Sequence, residues 1–200
     1  LFFVVSGFLL FRPYAVARLA ARPAPEPGSY LWHRALRILP VLWVAVLACA
    51  VLAPTAGAGW AAYVEHALLV QIYTGNPLLH GLTQMWSLAT EVAFYLVLPI
   101  LGRILVRGGD DRTWARRTIA VALAGAVLAA AWMAAMTAAG QPDARLWLPA
   151  YAGWFGAGIA LATWQVARER GVLGEGRIEP VLERPGTMWA IAGALFVLVS

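Results

Sequence analysis

The sequence predicts an all-α protein, a polytopic bundle of membrane-spanning helices. Three observations predict it: 62% of the 200 residues are hydrophobic, 12% are charged, and the apolar residues gather in long uninterrupted stretches. Soluble domains are about a quarter charged, and a soluble chain of this length could not cover so much apolar surface with polar residues. We therefore expect the lipid bilayer to be the main partner of this chain.

The long apolar stretches predict the number of crossings, since one helical crossing needs about twenty residues. We expect about six spans, the first and last cut by the ends of the sequence, at 1–11, 38–56, 86–102, 118–139, 147–167 and 187–200. A further stretch, 60–73, is short and carries Glu65, His66 and Gln71. These features favour an interfacial or re-entrant helix at 60–73 rather than a crossing.

The arginines predict the orientation of the bundle. All 15 basic residues are arginines, and 14 of them fall in three alternate loops, 12–37, 103–117 and 168–186. Only Arg145 lies on the opposite side, and such a bias marks the cytoplasmic side of a membrane protein. We therefore expect a multi-pass protein of the plasma membrane with these three loops in the cytoplasm. The same bias explains the net charge of +5 without a nucleic-acid partner.

The ends and the cysteine content limit the interpretation. The chain starts at Leu1 and stops at Ser200, both inside apolar stretches, so we interpret 1–200 as one partial transmembrane domain of a longer protein. The single cysteine, Cys49, excludes an internal disulfide or a CxxC pair, and we expect it to be a buried apolar residue. No HExxH or GxSxG motif occurs, and we expect no metal site and no bound cofactor.

A polar stripe lies in the stretch 86–102. Gln84, Ser87, Glu91 and Tyr95 are spaced so that they share one face of a helix, and Glu91 is the only acidic residue well inside a predicted span. A carboxyl group is costly in lipid, so this face must meet protein or a water-filled cavity. The stripe is either a structural hydrogen-bond network between helices or the lining of a substrate site or pore.

Other polar or small residues allow two interpretations each. Arg34 and Arg37 leave the same helix face, which suits either anionic lipid headgroups or a phosphate-bearing ligand. His66 and His80 are either hydrogen-bonding residues of the outer side or bases. We expect the pair Ser6–Gly7 and the glycines at 153, 156 and 158 to permit close helix packing.

Three segments, in this order, resemble the acyltransferase 3 family of integral membrane O-acyltransferases. They are FFVVSGFLLFRPY (2–14), HRALRILPVLW (33–43) and LTQMWSLATEVAFYLVLPIL (82–101), and the glycine-bearing stretch around 153–162 is similar to a later helix of the family. The third segment is the most specific, because Gln, WSL, Glu and FYL at this spacing are not generic hydrophobic sequence.

The resemblance implies an enzyme that moves an acyl group, often acetyl, from cytoplasmic acyl-CoA to a hydroxyl of a sugar, cell-envelope glycan or glycosylated natural product. Arg34 and Arg37 match the RxxR element proposed to contact the donor. The resemblance places the presumed catalytic histidine in a helix before the SGF segment, and His33, His66 and His80 do not match it. We therefore expect these 200 residues alone to be inactive.

Within the chain, Glu91 and Ser6 are the catalytic candidates, and the polar lining is completed by Gln84, Trp86, Ser87 and Tyr95. Hydroxyl acylation needs such groups to orient the acceptor and stabilise the oxyanion. The alternative function is a polytopic transporter or flippase that uses the intramembrane carboxylate of Glu91. A non-catalytic scaffold held by arginine–lipid contacts is a third alternative.

Overall fold

The computed structural model describes residues 1–74 and 78–174, and within these ranges the chain is helical without a strand. This confirms the predicted all-α class. Two 3-10 turns, Pro142–Leu146 and Leu148–Tyr151, precede the last described helix. The α-helices are α1 (Phe2–Leu19), α2 (Pro27–Leu52), α3 (Trp60–Ala67), α4 (Met85–Leu105), α5 (Asp111–Ala138) and α6 (Ala152–Glu169).

Four of these helices, α1, α2, α4 and α5, are long and apolar enough to cross a membrane. Helix α6 has 18 residues but is not among these four, since its last two turns carry Thr163, Gln165, Arg168 and Glu169. It begins five residues later than the expected span at 147–167, because the second 3-10 turn occupies that segment. The expected span at 187–200 lies outside the described residues.

The predicted ends of two spans were wrong. Helix α1 continues past Phe11 through Pro13 to Leu19, and α2 begins at Pro27 rather than Ile38. The arginines expected in the loop 12–37 therefore lie mostly on helices, because a long arginine side chain can extend from an apolar helix toward water. Pro27 suits the start of α2, since its missing N–H would be unpaired in a first turn anyway.

The stretch 60–73 does not cross the bundle. Helix α3 has eight residues, or about 12 Å of length, against the roughly 30 Å of a hydrocarbon core. His66 of α3 is buried, and so are Leu69 and Gln71 in the turns that follow. We call these three residues the outer cluster. The expected short, non-spanning helix is therefore present.

Side-chain contacts set the directions of the helices. Arg18, near the end of α1, pairs with Asp111 at the start of α5 at 2.8 Å, and Arg12 pairs with Glu169 at the end of α6 at 3.4 Å. Helices α1 and α6 are therefore parallel, and α5 is antiparallel to both. Asp110 caps α5, and hydrogen bonds from Thr113 lower the pKa of its carboxyl. These contacts gather the described arginine-bearing helix ends at one end of the bundle.

Helix α4 runs parallel to α1, and α2 runs antiparallel to α4. Phe3 meets Trp86 near the start of α4, with ring centroids 6.2 Å apart, and a Cβ on Gly102 near the end of α4 would lie 2.6 Å from the Tyr14 ring. On α2, Cys49 near the helix end donates to the carbonyl of His80 just before α4, at 3.0 Å. The early residues of α2 therefore lie beside the second half of α4.

Helix α6 is packed between α1 and α5 through glycines, as the sequence predicted. A Cβ on Gly158 would overlap the Val4 carbonyl oxygen of α1, and one on Gly156 would overlap the Ala122 carbonyl oxygen of α5. Gly7 and Gly125 make the reciprocal contacts, with the carbonyls of Phe155 and Ala152. Small residues allow helix backbones in membranes to approach this closely.

We expect Gly158→Ala to destabilise the full-length protein, although alanine is the better helix former. The added methyl would meet the Val4 carbonyl and, at 2.6 Å, the Phe8 nitrogen, so α1 and α6 must separate at a cost of about 1–3 kcal/mol. Thermal unfolding in detergent measures this as a lower melting temperature. Gly59→Ala is the matched control, since nothing lies within 4 Å of its Cβ position. Equal melting temperatures for both variants would contradict the packing argument.

Candidate functional site

A hydrogen bond between α1 and α4 lies at the centre of the candidate site. The Ser6 hydroxyl donates to the Glu91 carboxyl oxygen Oε1 at 2.5 Å, and the two residues are 8% and 6% exposed. Gly7 rests on α6, and its neighbour Ser6, about 100° away around α1, faces α4. Two candidates that are 85 residues apart in sequence are therefore in direct contact.

Tyr95 extends this polar group along α4. It lies one turn after Glu91 on the same helix face and is buried, and it interacts electrostatically with the Glu91 side chain. The carboxyl of Glu91 thus has a serine and a tyrosine as neighbours. Two of the four residues of the predicted stripe form one buried polar cluster with Ser6.

Arg34 of α2 lies beside this cluster. Its guanidinium carbon is 5.7 Å from the centroid of the Tyr95 ring and 5.8 Å from that of Tyr30, which are distances at which a cation is attracted to an aromatic face. The side chain is half-buried. The structure therefore brings Arg34 to Tyr95, which lies one turn after Glu91 on α4.

The Arg34 guanidinium has no acidic partner among residues 1–74 and 78–174. The ion pairs in these ranges use Arg12 and Arg18 instead. Guanidinium groups bind carboxylate and phosphate oxygens through paired N–H donors, and half-burial strengthens such a bond relative to open water. Arg34 is thus equipped to bind an anionic ligand.

The remaining predicted residues lie apart from the cluster. Arg37 is exposed, and Gln84 is the exposed residue that precedes α4. The Ser87 hydroxyl donates to the Gln84 carbonyl at 2.9 Å, a hydrogen bond within the first turn of its own helix. Trp86 packs into an aromatic group with Phe3 and Tyr151, at centroid distances of 6.2 and 5.5 Å.

Two tyrosines that the sequence analysis did not select line the same region. The hydroxyls of Tyr14 and Tyr30 are buried and have no hydrogen-bond partner in the described part of the chain. Electrostatic interactions connect Tyr30 with Arg34, Tyr14 and Glu91. The spacing of Tyr30, four residues before Arg34, was a usable signal because such residues share a helix face.

His66 serves as a hydrogen-bonding residue of the outer cluster. It is 1% exposed; its Nδ1 is 2.8 Å from the Ala62 carbonyl, and its Nε2 accepts from the Leu79 N–H at 3.4 Å. A carbonyl only accepts and an N–H only donates, so the proton lies on Nδ1. Both ring nitrogens are engaged with backbone, which favours the structural interpretation of this histidine.

His80 and Cys49 also contribute to this outer region. His80 is exposed. Its backbone N–H donates to the Thr55 hydroxyl at 3.0 Å, and its backbone carbonyl accepts from the Cys49 thiol. Cys49 is buried, as expected. Both residues join the end of α2 to the segment before α4.

We expect Ser6→Ala to lower the free energy of unfolding of the full-length protein by about 1.5–3 kcal/mol, the range for hydrogen bonds to charged groups. The change leaves a buried Glu91 oxygen without its serine donor. Thermal unfolding of Ser6→Ala, Glu91→Gln and the double variant measures the coupling between the two side chains. Ser29→Ala, at an exposed position, is the control, and additive effects of the two site changes would argue against the contact.

Comparison with known proteins agrees with this architecture. The family described as "Acyltransferase domain" matches residues 1–199. The chain is 30% identical over 161 residues to Acyltransferase MdmB of Streptomyces mycarofaciens, an alignment that covers 73% of this chain and 39% of that protein. The chain thus spans well under half of the curated relative that it matches. No solved structure matches the chain.

Proposed function

This chain belongs to the acyltransferase 3 family, and we propose that the whole protein is a membrane-bound O-acyltransferase. It moves an acyl group, acetyl in the simplest case, from cytoplasmic acyl-CoA to a hydroxyl of a sugar, cell-envelope glycan or glycosylated natural product. The matched relative is itself an acyltransferase. The observation that carries the proposal is the buried Ser6–Glu91 contact beside the cation of Arg34.

The reaction forms a carbon–oxygen bond and breaks the thioester carbon–sulfur bond. The acceptor hydroxyl loses its proton to a base, and the thiolate of coenzyme A leaves and takes up a proton. The carboxyl of Glu91 is an acceptor that can orient the attacking hydroxyl, and the Ser6 hydroxyl holds that carboxyl in place. Removal of this group from water strengthens such hydrogen bonds.

Arg34 is assigned to the acyl donor. Coenzyme A carries phosphates, and arginine binds phosphate through paired donors. Arg34 is half-buried beside Tyr95, whereas Arg37 is exposed. We therefore expect unequal contributions from these two arginines, although their spacing made them equivalent in the sequence.

We expect Arg34→Ala to weaken acetyl-CoA binding by the full-length protein in nanodiscs about tenfold to a hundredfold, the loss of one or two charge-assisted hydrogen bonds. Calorimetry with acetyl-CoA measures it. Arg37→Ala should have an effect of about threefold or less, as for an exposed charge. Arg116→Ala, another exposed arginine, is the matched control, and equal affinities for Arg34→Ala and Arg116→Ala would refute the donor assignment.

We expect Glu91→Gln to reduce acyl transfer by about a hundredfold while acetyl-CoA affinity changes little, because the change keeps the shape of the side chain. The measurement is transfer of label from radioactive acetyl-CoA to cell-envelope glycans in membranes that contain the full-length protein. Unchanged turnover with unchanged thermal stability would assign the stripe to packing. Solute or proton flux without label transfer would favour the transporter alternative.

We propose that the protein lies in the plasma membrane with its arginine-rich ends in the cytoplasm. The bias of 14 arginines against Arg145 supports this orientation, and so do the ion pairs that gather three helix ends at one end of the bundle.

Cysteine labelling tests this orientation in intact cells. In a full-length protein in which Cys49 and any cysteine outside these 200 residues are replaced by serine, we expect an impermeant maleimide to label Ala139→Cys from outside, and Ser29→Cys only after permeabilisation. Both positions are exposed and lie at opposite ends of the bundle. The Cys49→Ser protein without a new cysteine is the control, and the reverse labelling pattern would invert the topology.

A further inference from the structure

We infer that the hydroxyls of Tyr14 and Tyr30, together with the Arg34 guanidinium, form a subsite for the phosphate oxygens of the acyl donor. The identification of the ligand as acyl-CoA rests on the proposed function. The subsite itself stands on the burial, proximity and hydrogen-bonding chemistry of the three side chains.

The first support is the pair of unpartnered hydroxyls. Both phenolic oxygens are buried without a hydrogen-bond partner among residues 1–74 and 78–174, and Tyr14 is only 1% exposed. Buried polar atoms nearly always find partners, because each unpaired group loses its hydration without replacement. Two such hydroxyls close together are therefore better explained by a ligand than by packing.

The second support is the chemistry of the surroundings. Arg34 lies against the Tyr30 ring at 5.8 Å, and Tyr30 packs against the buried cluster that contains Tyr14. Hydroxyl and guanidinium groups are hydrogen-bond donors, and together they fit the acceptor oxygens of a phosphate. The carboxyl of Glu91, which interacts with Tyr30, already accepts a hydrogen bond from Ser6.

The third support is a cavity at the arginine-bearing end of the bundle. It has a volume of 270 Å³ and is lined by Tyr14 and Arg18 of α1 and by residues that follow α1, among them Arg22. Its lining includes no acidic side chain. A phosphorylated molecule that enters there would meet positive charge first and the Tyr14 ring next.

Beyond the subsite lies Tyr95, which contacts both Arg34 and Glu91. Phosphates held by Tyr14, Tyr30 and Arg34 would leave the remainder of the donor directed toward Glu91. The tyrosines are therefore binding residues that also position the acyl group, and neither takes part in proton transfer.

Tyr14→Phe and Tyr30→Phe test the subsite because each removes only an oxygen atom. In the full-length protein without ligand, we expect the melting temperature to stay the same or rise, since an unpaired buried hydroxyl is lost. The dissociation constant for acetyl-CoA should rise about fivefold to tenfold for each change, as for one lost hydrogen bond. Tyr63→Phe is the control, because its hydroxyl accepts from the Thr55 N–H at 3.2 Å; it should reduce stability and leave affinity unchanged.

Competition by pyrophosphate identifies the part of the donor that is bound. Pyrophosphate should displace acetyl-CoA from the wild type, and less effectively from Tyr14→Phe and Tyr30→Phe. Unchanged competition by pyrophosphate in both variants would overturn the assignment to phosphate. Unchanged acetyl-CoA affinity in both would overturn the subsite.

Lipid composition separates the soluble donor from a lipid headgroup with the same phosphate chemistry. We expect equal acetyl-CoA affinity in phosphatidylcholine and phosphatidylglycerol nanodiscs. If phosphatidylglycerol competes with acetyl-CoA and the tyrosine changes remove this competition, the subsite belongs to lipid and the donor assignment is overturned.

The subsite and the proposed function can fail separately. If the protein transfers no acyl group but its tyrosine variants bind coenzyme A more weakly, the subsite is supported and the proposed function is contradicted. If the protein transfers acyl groups normally and the tyrosine variants keep the wild-type affinity for acetyl-CoA, the proposed function is supported and the subsite is contradicted.

Discussion

The close approach of α6 to α1 is the constraint on which the site depends. The α6 glycines remove the side chains that would hold the backbones apart, so that Gly158 lies against Val4 and Gly7 lies against Phe155. This contact fixes the rotation of α1 about its own axis. With Gly7 turned toward α6, the adjacent Ser6 is turned toward α4, where it reaches Glu91. Two neighbouring small residues therefore serve two different helices.

Within the described residues, Glu91 and Arg34 do not form an ion pair with each other. Glu91 accepts a hydrogen bond from the Ser6 hydroxyl, and Arg34 lies beside two tyrosine rings. Direct pairing of these two residues would satisfy both charges and leave neither free for a ligand. In the proposed reaction, their separation would leave the carboxyl group for the acceptor and the guanidinium for the anionic donor.

The sequence predicted the centre of the site better than its edges. Glu91 and Tyr95 followed from helical spacing, because a carboxyl in an apolar span has to be covered by protein. The same spacing also included Gln84, which is exposed at the helix start, since periodicity specifies a face but not the depth along it. Tyr14 and Tyr30 were missed because a tyrosine in an apolar helix most often packs as a hydrophobic residue. Only three-dimensional contacts reveal that their hydroxyls lack partners.

Span boundaries could not be read from hydropathy for a related reason. Arg12 and Arg34 lie inside helices, because arginine costs less in an apolar helix when its charged end meets water, an acidic group or an aromatic face. Arg12 reaches Glu169, and Arg34 reaches Tyr30 and Tyr95. An arginine in an apolar stretch predicts the end of a span, but Arg12 and Arg34 instead make contacts between helices.

Helix α4, which carries the candidate residues Glu91 and Tyr95, is held at both ends. At its outer end, Gln71 donates to the Met85 carbonyl at 3.2 Å, and Thr90 donates to the Leu146 carbonyl of the first 3-10 turn at 2.7 Å. At its other end, Trp114 of α5 donates to the Leu105 carbonyl at 2.9 Å. The Leu105 carbonyl lies in the last turn of α4, where carbonyls have no partner within the helix. Glu91 and Tyr95 therefore lie on a fixed element, and a ligand that binds between α1, α2 and α4 meets groups that are already oriented, which lowers the entropy lost on binding.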